Sequence, residues 1–311
     1  MPHKLATSFN YWVDFKRHRL EKLRCSALKK LSHKSLPLFF KGGDIISLDP
    51  IANGSYESDI KALIEHFAAN GFDDFLLDIG ANIGLSSCQS GQKFKEVHLY
   101  EPNPNCVSIL KINANIALRG LNYVIHEYGL GAQSEKLQLY VPYDNWGGAF
   151  LKSDVNEYDD ALLSSKDGYG KFKEENYDIL EVQIEDARKS IAELFESLVS
   201  RGLTKGVIKV DAEGYERFIV NTVLTVKPKQ IECVIIFENW KNEISIAEYF
   251  GENIDITELY NLESLKNRHA TAPRWFNSLL NFLRGGFRVV LRQVQGHFSS
   301  GTYLVIAKAQ P

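Results

Sequence analysis

The chain has 311 residues, of which 44% are apolar and 24% are charged, and its 36 basic and 39 acidic side chains give a formal charge of −3. This composition is that of a soluble globular protein and excludes wholesale disorder, collagen and coiled coil. The near-neutral total argues against a nucleic-acid partner. Without an apolar run of about 18 residues or an apolar leader followed by small residues, we expect a cytoplasmic protein.

The first 50 residues form a segment of their own, rich in basic side chains. Between residues 16 and 34, leucines and an alanine recur at three- and four-residue spacing, which predicts an amphipathic helix with a basic face. Its basic residues are Lys16, Arg17, Arg19, Lys22, Arg24, Lys29, Lys30 and Lys34. We predict a helical extension over residues 1–50 and one main domain over residues 51–311. Residues 16–34 would either dock on an anionic membrane surface, at its inner face, or pack on the main domain through their leucines.

From residue 57 onward, helical and strand patterns alternate. The predicted elements of the first half are a helix over Glu57–Asn70, a strand over Phe75–Asp78, a glycine turn over Gly80–Gly84 with a helix to about Ser90, a strand over Val97–Tyr100, a helix from Cys106 and a strand over Tyr123–Ile125. Short buried strands joined by helices indicate a parallel sheet that is covered on both faces.

The second half continues this alternation after one interruption. Its predicted elements are a long loop or insertion over residues 143–178, a helix over Asp186–Arg201, a strand over Val207–Val210 that ends at Asp211, a helix, a strand over Cys233–Phe237 that ends at Glu238, and a closing antiparallel pair within residues 287–308 formed by Phe287–Leu291 and Tyr303–Ala307.

The strongest motif is the stretch from Leu77 to Gly84, followed 23 positions after Asp78 by Glu101. In a doubly wound sheet, ligands bind beyond the carboxyl ends of the strands, where glycines allow close approach and an acidic residue holds both ribose hydroxyls. The pattern therefore predicts a nucleoside cofactor. The phosphate-binding G-x-G-x-x-G is absent, so a cofactor with a cationic amino-acid tail fits better than one with phosphates. A plain strand-turn-helix of an unrelated α/β fold is the alternative.

A second motif, from Ile208 to Glu216, places two carboxylates and a lysine at the end of a later strand. We interpret Asp211 as a base or acceptor-orienting residue, Lys209 as its charge partner and Glu213 as a neighbour. Glu216 more simply favours the start of the next helix. Glu238 is interpreted as a second acceptor contact.

Three aromatic residues, Tyr143, Trp146 and Trp240, accompany these strand ends. They either stack on a sugar ring or serve as packing. The four cysteines lack a C-x-x-C pair and the eight histidines lack metal-ligand spacing. We predict no metal site, and only Asp211 with Glu238 offers oxygen ligands of the kind that magnesium prefers.

Taken together, the motifs resemble those of the FkbM-type S-adenosylmethionine-dependent methyltransferases. The matching stretches are Gly54–Glu57, Leu77–Gly84, Tyr100–Pro104, Asn113–Asn115, Lys209–Glu216 and Phe237–Glu238. The resemblance implies a class I methyltransferase fold: an α/β, Rossmann-like, doubly wound sheet of seven strands, mostly parallel, with the last strand antiparallel. This sequence departs from the family pattern at Gln183–Asp186, where relatives usually carry a Thr-Leu-Asp-like turn.

Carried over by position, the resemblance implies a set of residues that hold S-adenosylmethionine. These are Tyr56, Glu57, Asp78, Gly80, Asn82, Gly84, Glu101, Gly129 and Leu130. It also implies O-methylation, and we predict a sugar hydroxyl in a cell-surface polysaccharide or glycolipid precursor as the acceptor. The alternatives are a natural-product O-methyltransferase, a nicotinamide-dependent oxidoreductase on a similar fold, and a non-catalytic binding protein.

Overall fold

The protein, seen in a computed structural model, is described over residues 18–153, 156, 173–240, 243–251, 253, 257–265, 276 and 288–309. Its strands are β1 (Phe75–Ile79), β2 (Glu96–Tyr100), β3 (Asn122–His126), β4 (Gly129–Gly131), β5 (Glu135–Pro142), β6 (Phe150–Leu151), β7 (Tyr177–Asp186), β8 (Lys205–Val210), β9 (Glu232–Asn239), β10 (Ile244–Ser245), β11 (Thr257–Leu265), β12 (Arg288–Gln293), β13 (His297–Phe298) and β14 (Gly301–Ala307).

The helices of this described part are α1 (His18–Leu31), α2 (Ile45–Asn53), α3 (Ser58–Ala69), α4 (Leu85–Ser90), α5 (Pro104–Ala117), α6 (Ala187–Ser200), α7 (Glu216–Val226) and α8 (Ile246–Phe250). Short polar side chains begin several of them. Asn103 accepts a hydrogen bond from the amide of Asn105 at the start of α5, and Asp186 accepts one from the amide of Lys189 at the start of α6. Such caps satisfy amides that the helix itself leaves unpaired.

The large sheet has the order β12-β11-β14-β9-β8-β1-β2-β3. From β9 to β3 all neighbours are parallel, and β14 is antiparallel to both β9 and β11. Apolar side chains cover both faces of this sheet, as β1 shows with five buried residues in succession. The predicted fold class is confirmed, with eight strands where seven were expected.

The predicted closing pair is wrong in one respect. The strands β12 and β14 do not pair with each other, because β11 lies between them and is antiparallel to both. Within β11, Tyr260 pairs with Leu304 on one side, and Leu262 pairs with Leu291 on the other. The leucines of β11 recur every third residue and not every second, so its sequence lacks the alternation that indicates a strand. Phe287 lies outside the described residues.

A second sheet, of order β4-β7-β5-β6, lies on either side of the predicted loop over residues 143–178, and only β6 and the start of β7 fall within that loop. The ring of Phe150 in β6 stacks on that of Tyr140 in β5 with centroids 5.5 Å apart. The Gln183–Asp186 stretch forms the end of β7, which pairs with β4 and β5. Of the predicted loop, residues 154, 155 and 157–172 lie outside the described part.

The N-terminal segment divides into two parts with different environments. In α1, Leu23, Leu28 and Leu31 are 67%, 62% and 63% exposed, so these leucines do not pack on the domain. The chain after α1 does pack: the amide of Phe39 donates to Asn113 Oδ1 at 2.7 Å, and Asn113 Nδ2 donates to the carbonyl of Phe39 at 3.0 Å. The predicted domain boundary at residue 50 falls inside α2. No helix in the described part of the chain is long and apolar enough to cross a membrane.

Candidate active site

A pocket lies at the carboxyl ends of β1, β2, β8 and β9. It encloses about 1210 Å³, part of it open to solvent, which is room for a nucleoside cofactor and an acceptor group. The predicted site residues that line it are Tyr56, Glu57, Gly80, Asn82, Glu101, Gly129, Leu130, Trp146, Lys209, Asp211, Glu213, Glu238 and Trp240. These residues are far apart in the sequence, but many of them lie at strand ends that meet at one edge of the sheet, where a doubly wound sheet binds ligands.

The turn after β1 forms one floor of the pocket. The amides of Gly80 and Ala81 both donate to the carbonyl of Tyr100, at 3.0 and 2.9 Å. Gly80 has φ +85, and a Cβ atom there would meet the carbonyl oxygen of Asp211 at 1.8 Å. Asn82 follows with φ +51, a left-handed conformation that asparagine adopts more readily than most residues. Only glycine fits at position 80, so the backbone there packs directly against the turn after β8.

Glu101, at the end of β2, is buried and held by two backbone amides. Its Oε2 accepts from the amide of Asn82 at 2.7 Å, and its Oε1 accepts from the amide of Asn103 at 2.8 Å. Burial raises the pKa of this carboxyl to about 7, against the opposing effect of the two amides. Each carboxylate oxygen keeps a second lone pair, so the group can also accept hydrogen bonds from a diol.

Asp78 and Gly84 do not line the pocket but support it. Asp78 is buried, accepts a hydrogen bond from Ser87 Oγ, and has its Oδ1 3.8 Å from Lys209 Nζ. Burial raises the pKa of Asp78, while Lys209 and Ser87 oppose the rise. A Cβ on Gly84 would meet Leu110 Cδ1 at 2.6 Å, so this glycine lets α5 approach the turn.

Lys209 joins the two acidic strand ends. Its ammonium is buried and donates to Asp211 Oδ2 at 2.8 Å, with Asp78 on its other side. Burial alone would lower the pKa of Lys209, but the carboxylates of Asp211, Asp78 and Glu57 outweigh this and hold the pKa well above its usual value. The charged form of Lys209 is therefore favoured, and its role as a charge partner in the reaction stays a prediction.

Tyr56 and Glu57 precede α3 and approach the same charges from the N-terminal side. Gln89 fixes the backbone of Tyr56 from both sides: its Oε1 accepts from the Tyr56 amide at 3.2 Å, and its Nε2 donates to the Tyr56 carbonyl at 2.7 Å. Burial raises the pKa of Glu57 to about 7, with Asp211 and Glu238 adding to the rise and Lys209 opposing it.

One wall of the pocket was not predicted from the sequence. Asp44 is buried and caps α2 by accepting from the amide of Ile46, whose side chain lines the pocket. The other oxygen of Asp44 accepts from the amide of Trp146 at 3.1 Å, and the Lys41 ammonium lies 4.8 Å from the centroid of the Trp146 ring. An aspartate just before a helical run is a capping signal, and it could have indicated α2 but not its contact with Trp146.

Tyr143 is the one predicted substrate residue outside the pocket lining. Its side chain is half exposed, and its carbonyl accepts from Lys41 Nζ at 2.8 Å. Trp240 lines the pocket and is 37% exposed.

Asn156 connects β6 to the turn after β8, because its Nδ2 donates to the carbonyl oxygens of Leu151 and Glu213 at 2.7 and 3.1 Å.

Glu213 and Glu216 differ in their surroundings. Glu213 lines the pocket with φ +30, whereas Glu216 begins α7 and accepts from the amide of Gly214 at 2.9 Å. The structural interpretation of Glu216 agrees with this position. Within the described residues, no group of three or more histidine, cysteine, aspartate or glutamate side chains could hold a metal ion.

Comparison with models of protein families identifies the family of this chain. The model described as "Methyltransferase FkbM domain" matches residues 78–261, more than half of the chain. The chain belongs to the FkbM methyltransferase family. None of the curated proteins matches it in sequence.

Solved structures similar to this FkbM methyltransferase include three proteins of low sequence identity. An O-methyltransferase from Bacillus cereus in complex with SAH is 10% identical over 98% of this chain and 96% of that chain, with a TM-score of 0.38. Precorrin-6y C5,15-methyltransferase from Geobacter metallireducens is 10% identical over 88% and 94%, with a TM-score of 0.38. Precorrin 8W decarboxylase from Methanobacterium thermoautotrophicum is 12% identical over 80% and 89%, with a TM-score of 0.37.

The FkbM methyltransferase uses S-adenosylmethionine as its methyl donor, which confirms the predicted family, enzyme class and cofactor. The nicotinamide-dependent oxidoreductase and the non-catalytic binding protein are thereby set aside. The residues present fit this cofactor: Glu101 can accept from a ribose diol, and Asn82 Oδ1 is a buried acceptor with no hydrogen-bond partner among the described residues. An unpaired buried acceptor is costly unless a ligand donates to it.

Proposed function

We propose that this methyltransferase methylates a hydroxyl oxygen of a sugar in a cell-surface polysaccharide or glycolipid precursor. The observation that carries the proposal is the composition of the pocket. Besides the cofactor residues, the Lys209–Asp211 ion pair, the carboxylates of Glu213 and Glu238, and the indole rings of Trp146 and Trp240 line it. Carboxylates accept hydrogen bonds from hydroxyls, and flat aromatic faces pack on the apolar face of a sugar ring.

The cofactor would lie along the turn after β1. Glu101 would hold the ribose, the backbone at Gly80 and the amide oxygen of Asn82 would face the methionine end, and Gly129 with Leu130 would flank adenine. Asp78 would act through Lys209, because it lies behind the pocket lining. Gly84 would act through the approach of α5.

The bound cofactor supplies an activated methyl group on a sulfonium. The protein then has to align the acceptor hydroxyl with that methyl group, and alignment alone can provide much of the acceleration. Asp211, whose Oδ2 lies 2.8 Å from Lys209 Nζ, would accept a hydrogen bond from the hydroxyl. Glu238 and Glu213 line the same region and would contact neighbouring hydroxyls.

A labelled-methyl transfer assay tests the acceptor. The enzyme is incubated with S-adenosylmethionine and three sets of acceptors: nucleotide sugars, lipid-linked oligosaccharides, and polyhydroxylated natural products without sugar. We expect transfer to an acceptor of the first two sets. Transfer to the third set alone would show that the enzyme modifies natural products instead.

We further propose that the basic extension docks on an anionic membrane surface, at its inner face. Three leucines of α1 are exposed. Phe39, Ile45 and Leu48, which follow α1 in the chain, are also exposed, by 58%, 63% and 64%. Exposed basic residues accompany them in the same segment, and none of these forms an ion pair within the described residues. They are Lys22, Arg24, Lys29, Lys30 and Lys34. Each basic residue near anionic lipid contributes about 1 kcal/mol.

Vesicle sedimentation tests this docking. The full chain should bind vesicles of anionic lipid and not vesicles of neutral lipid. Lys29→Glu with Lys30→Glu should weaken binding about tenfold or more, and Ile45→Ser with Leu48→Ser should also weaken it. Ile112→Ser, at an exposed position of α5, is the matched control. Binding that survives deletion of residues 1–34, or no binding to anionic vesicles, would contradict the proposal.

A further inference from the structure

Glu57 has a backbone conformation that glutamate rarely adopts. Its φ of 40° and ψ of 66° place it in the left-handed region, directly before α3. Non-glycine residues in such regions cost about 1–3 kcal/mol and persist where the surrounding structure imposes them. Gln89 holds the backbone of the preceding residue, Tyr56, through two hydrogen bonds. Glu57 is thus carried by a fixed stretch of backbone beside the pocket.

Glu57 lines both the main pocket and a small neighbouring cavity. Thr302 and Ile60 line only the small cavity, whereas Lys209, Asp211 and Glu238 line both spaces. Glu57 therefore lies between the two cavities, in a cluster with the charged side chains of two strand ends. A hydroxyl that contacts Asp211 from the pocket is close to the same cluster of charges.

The charged groups that act on Glu57 belong to several elements. They are the ammonium of Lys209 and the carboxylate of Asp211 at β8, and the carboxylate of Glu238 at β9. The phenol of Tyr56 hydrogen-bonds the Glu57 carboxylate, and this lowers the pKa of Glu57 somewhat. Burial and the two carboxylates prevail and raise that pKa to about 7, where a carboxylate is a useful proton acceptor near neutral pH.

Asp211 is differently situated. Its Oδ2 accepts a hydrogen bond from the Lys209 ammonium at 2.8 Å. Because this oxygen is held by Lys209, Asp211 is better placed to orient a hydroxyl than to remove its proton.

We propose that Glu57 accepts the proton of the acceptor hydroxyl, while Asp211 and Lys209 orient that hydroxyl. In this step the oxygen–hydrogen bond breaks, its proton passes to the Glu57 carboxylate, and the acceptor oxygen bonds the methyl carbon. The carbon–sulfur bond breaks, and its electron pair stays on sulfur. The sulfonium charge and the Glu57 charge disappear together. The assignment rests on the proposed O-methylation and makes Glu57 a catalytic residue where a cofactor contact was predicted.

The charge of the ligand should control the protonation of Glu57. A sulfonium in the pocket favours the ionised carboxylate, and its conversion to a neutral thioether removes that effect. Glu57 then loses a proton when S-adenosylmethionine binds and is more readily protonated after transfer. Calorimetry in two buffers of different ionisation enthalpy measures this release without any acceptor. S-adenosylmethionine should release more protons at pH 7 than S-adenosylhomocysteine does, since both carry the same amino-acid tail.

The decisive variant is Glu57→Gln, with Glu65→Gln as control. Glu65 lies on α3 and forms an ion pair with Lys61 at 3.2 Å, so the control makes the same chemical change away from the pocket. Glu57→Gln should abolish the difference in proton release and lower kcat by about 10²-fold or more, with affinity for S-adenosylhomocysteine within about threefold of wild type. Glu57→Asp keeps the carboxylate and should keep the difference in proton release.

Two results would overturn the assignment. Equal weakening of both cofactor forms by tenfold or more, with kcat unchanged at saturation, would make Glu57 a cofactor ligand. An unchanged difference in proton release in a folded Glu57→Gln variant would mean that another group titrates.

If Glu57→Gln does not fold, Tyr56→Phe provides the test. Losing the phenol should move the low-pH side of the plot of proton release against pH to higher pH, and an unmoved curve would contradict the proposal. Failure of every sugar acceptor would refute the proposed function but leave these binding results intact.

Discussion

Gly80 and Asp211 touch backbone to backbone. The carbonyl oxygen of Asp211 lies 1.8 Å from where a Cβ atom of residue 80 would be, and the Asp211 amide donates to the carbonyl of Ile79 at 2.9 Å. The turn after β1 and the turn that carries Asp211 are thus packed directly on each other. The distance between the two turns is set by the absence of a side chain on Gly80.

Gly80→Ala should therefore separate the two turns. A left-handed φ costs alanine about 1–2 kcal/mol, and the clash with a carbonyl oxygen adds to this. We expect at least about 2 kcal/mol of lost stability in urea unfolding and at least tenfold weaker binding of S-adenosylhomocysteine in calorimetry. Gly120→Ala is the matched control, because Gly120 has φ +84 and no atom within 4 Å of the added Cβ. Equal effects of the two variants would refute the packing argument.

The carboxyl of Glu101 makes nucleoside binding depend on pH. Its pKa is raised to about 7, and hydroxyl donors of a ribose favour its ionised form. Affinity should therefore fall as pH drops through 7, by up to about tenfold between pH 8 and pH 6. Adenosine is the probe, because it has the ribose diol but no titrating amino-acid tail. Glu101→Gln should bind adenosine more weakly, and the titration should become independent of pH; a persisting pH dependence would point to another group.

Sequence patterns indicated the strand-end motifs well, since Gly80, Glu101 and Asp211 each follow a short buried strand. In a parallel sheet such ends meet at one edge, so local patterns were enough to place them. The pocket wall formed by α2 could not be found in this way. It depends on contacts such as Asp44 with Trp146, which lie 102 residues apart and leave no periodic signal.

The same limit applies to charge. Sequence spacing linked Lys209 to Asp211, two residues away on one strand, but not to Asp78 or Glu57 on other elements. The second sheet was not predicted because the sequence of β5 and β7 was not recognised as strands. Phe150–Leu151 pairs with β5, so without β5 this short stretch had no strand to pair with. The charge contacts of Lys209 and the second sheet both depend on residues that are far apart in the sequence, so no short stretch of sequence reveals them.

Removal of the Lys209 ammonium should destabilise the fold. Lys209→Met leaves the buried Asp78 carboxylate without its cation, and breaking a buried ion pair in this way costs about 3–5 kcal/mol. The pKa of Asp78 is already raised by burial and should rise further in the variant. The deficit should thus be largest at high pH and shrink as pH falls and Asp78 becomes protonated. Urea unfolding at pH 8 and pH 5 measures it. A deficit that does not change with pH would contradict this account, and Asp78→Asn in the same background should restore part of the stability.

Asp211→Asn should affect turnover and not cofactor binding. Asparagine keeps the shape of the side chain but loses the charge that pairs with Lys209 and that, in our proposal, orients the acceptor hydroxyl. We expect kcat to fall by about 10²-fold or more, with S-adenosylhomocysteine affinity nearly unchanged. Glu185→Gln, on the second sheet, is a control for the loss of one carboxylate. Wild-type turnover in Asp211→Asn would remove this residue from the reaction.

A row of hydrogen bonds inside the sheet should make stability depend on pH. The hydroxyl of Tyr128 lies 3.1 Å from His126 Nδ1, His126 Nε2 lies 3.1 Å from His98 Nδ1, and His98 Nε2 lies 2.7 Å from Glu96 Oε1. This row is satisfied when both rings are neutral and each donates one proton towards Glu96. A further proton on either ring would disrupt it. Burial, and then the neighbouring His98, lower the pKa of His126 to about 4.

Because the unfolded chain binds this proton more readily, folding should lose stability as pH falls from about 6.5 towards 4. The loss at pH 4.5 amounts to about 2 kcal/mol from His126. Glu57 and Glu101 act in the opposite direction, since their raised pKa values favour the folded state at low pH. The test is therefore the difference in urea unfolding free energy between wild type and His126→Gln from pH 7.5 to pH 4.5. The variant should lose less stability than wild type over this range, while His66→Gln, on the exposed side of α3, controls for the change of residue type. Parallel pH profiles of wild type and His126→Gln would show that the row of hydrogen bonds does not titrate.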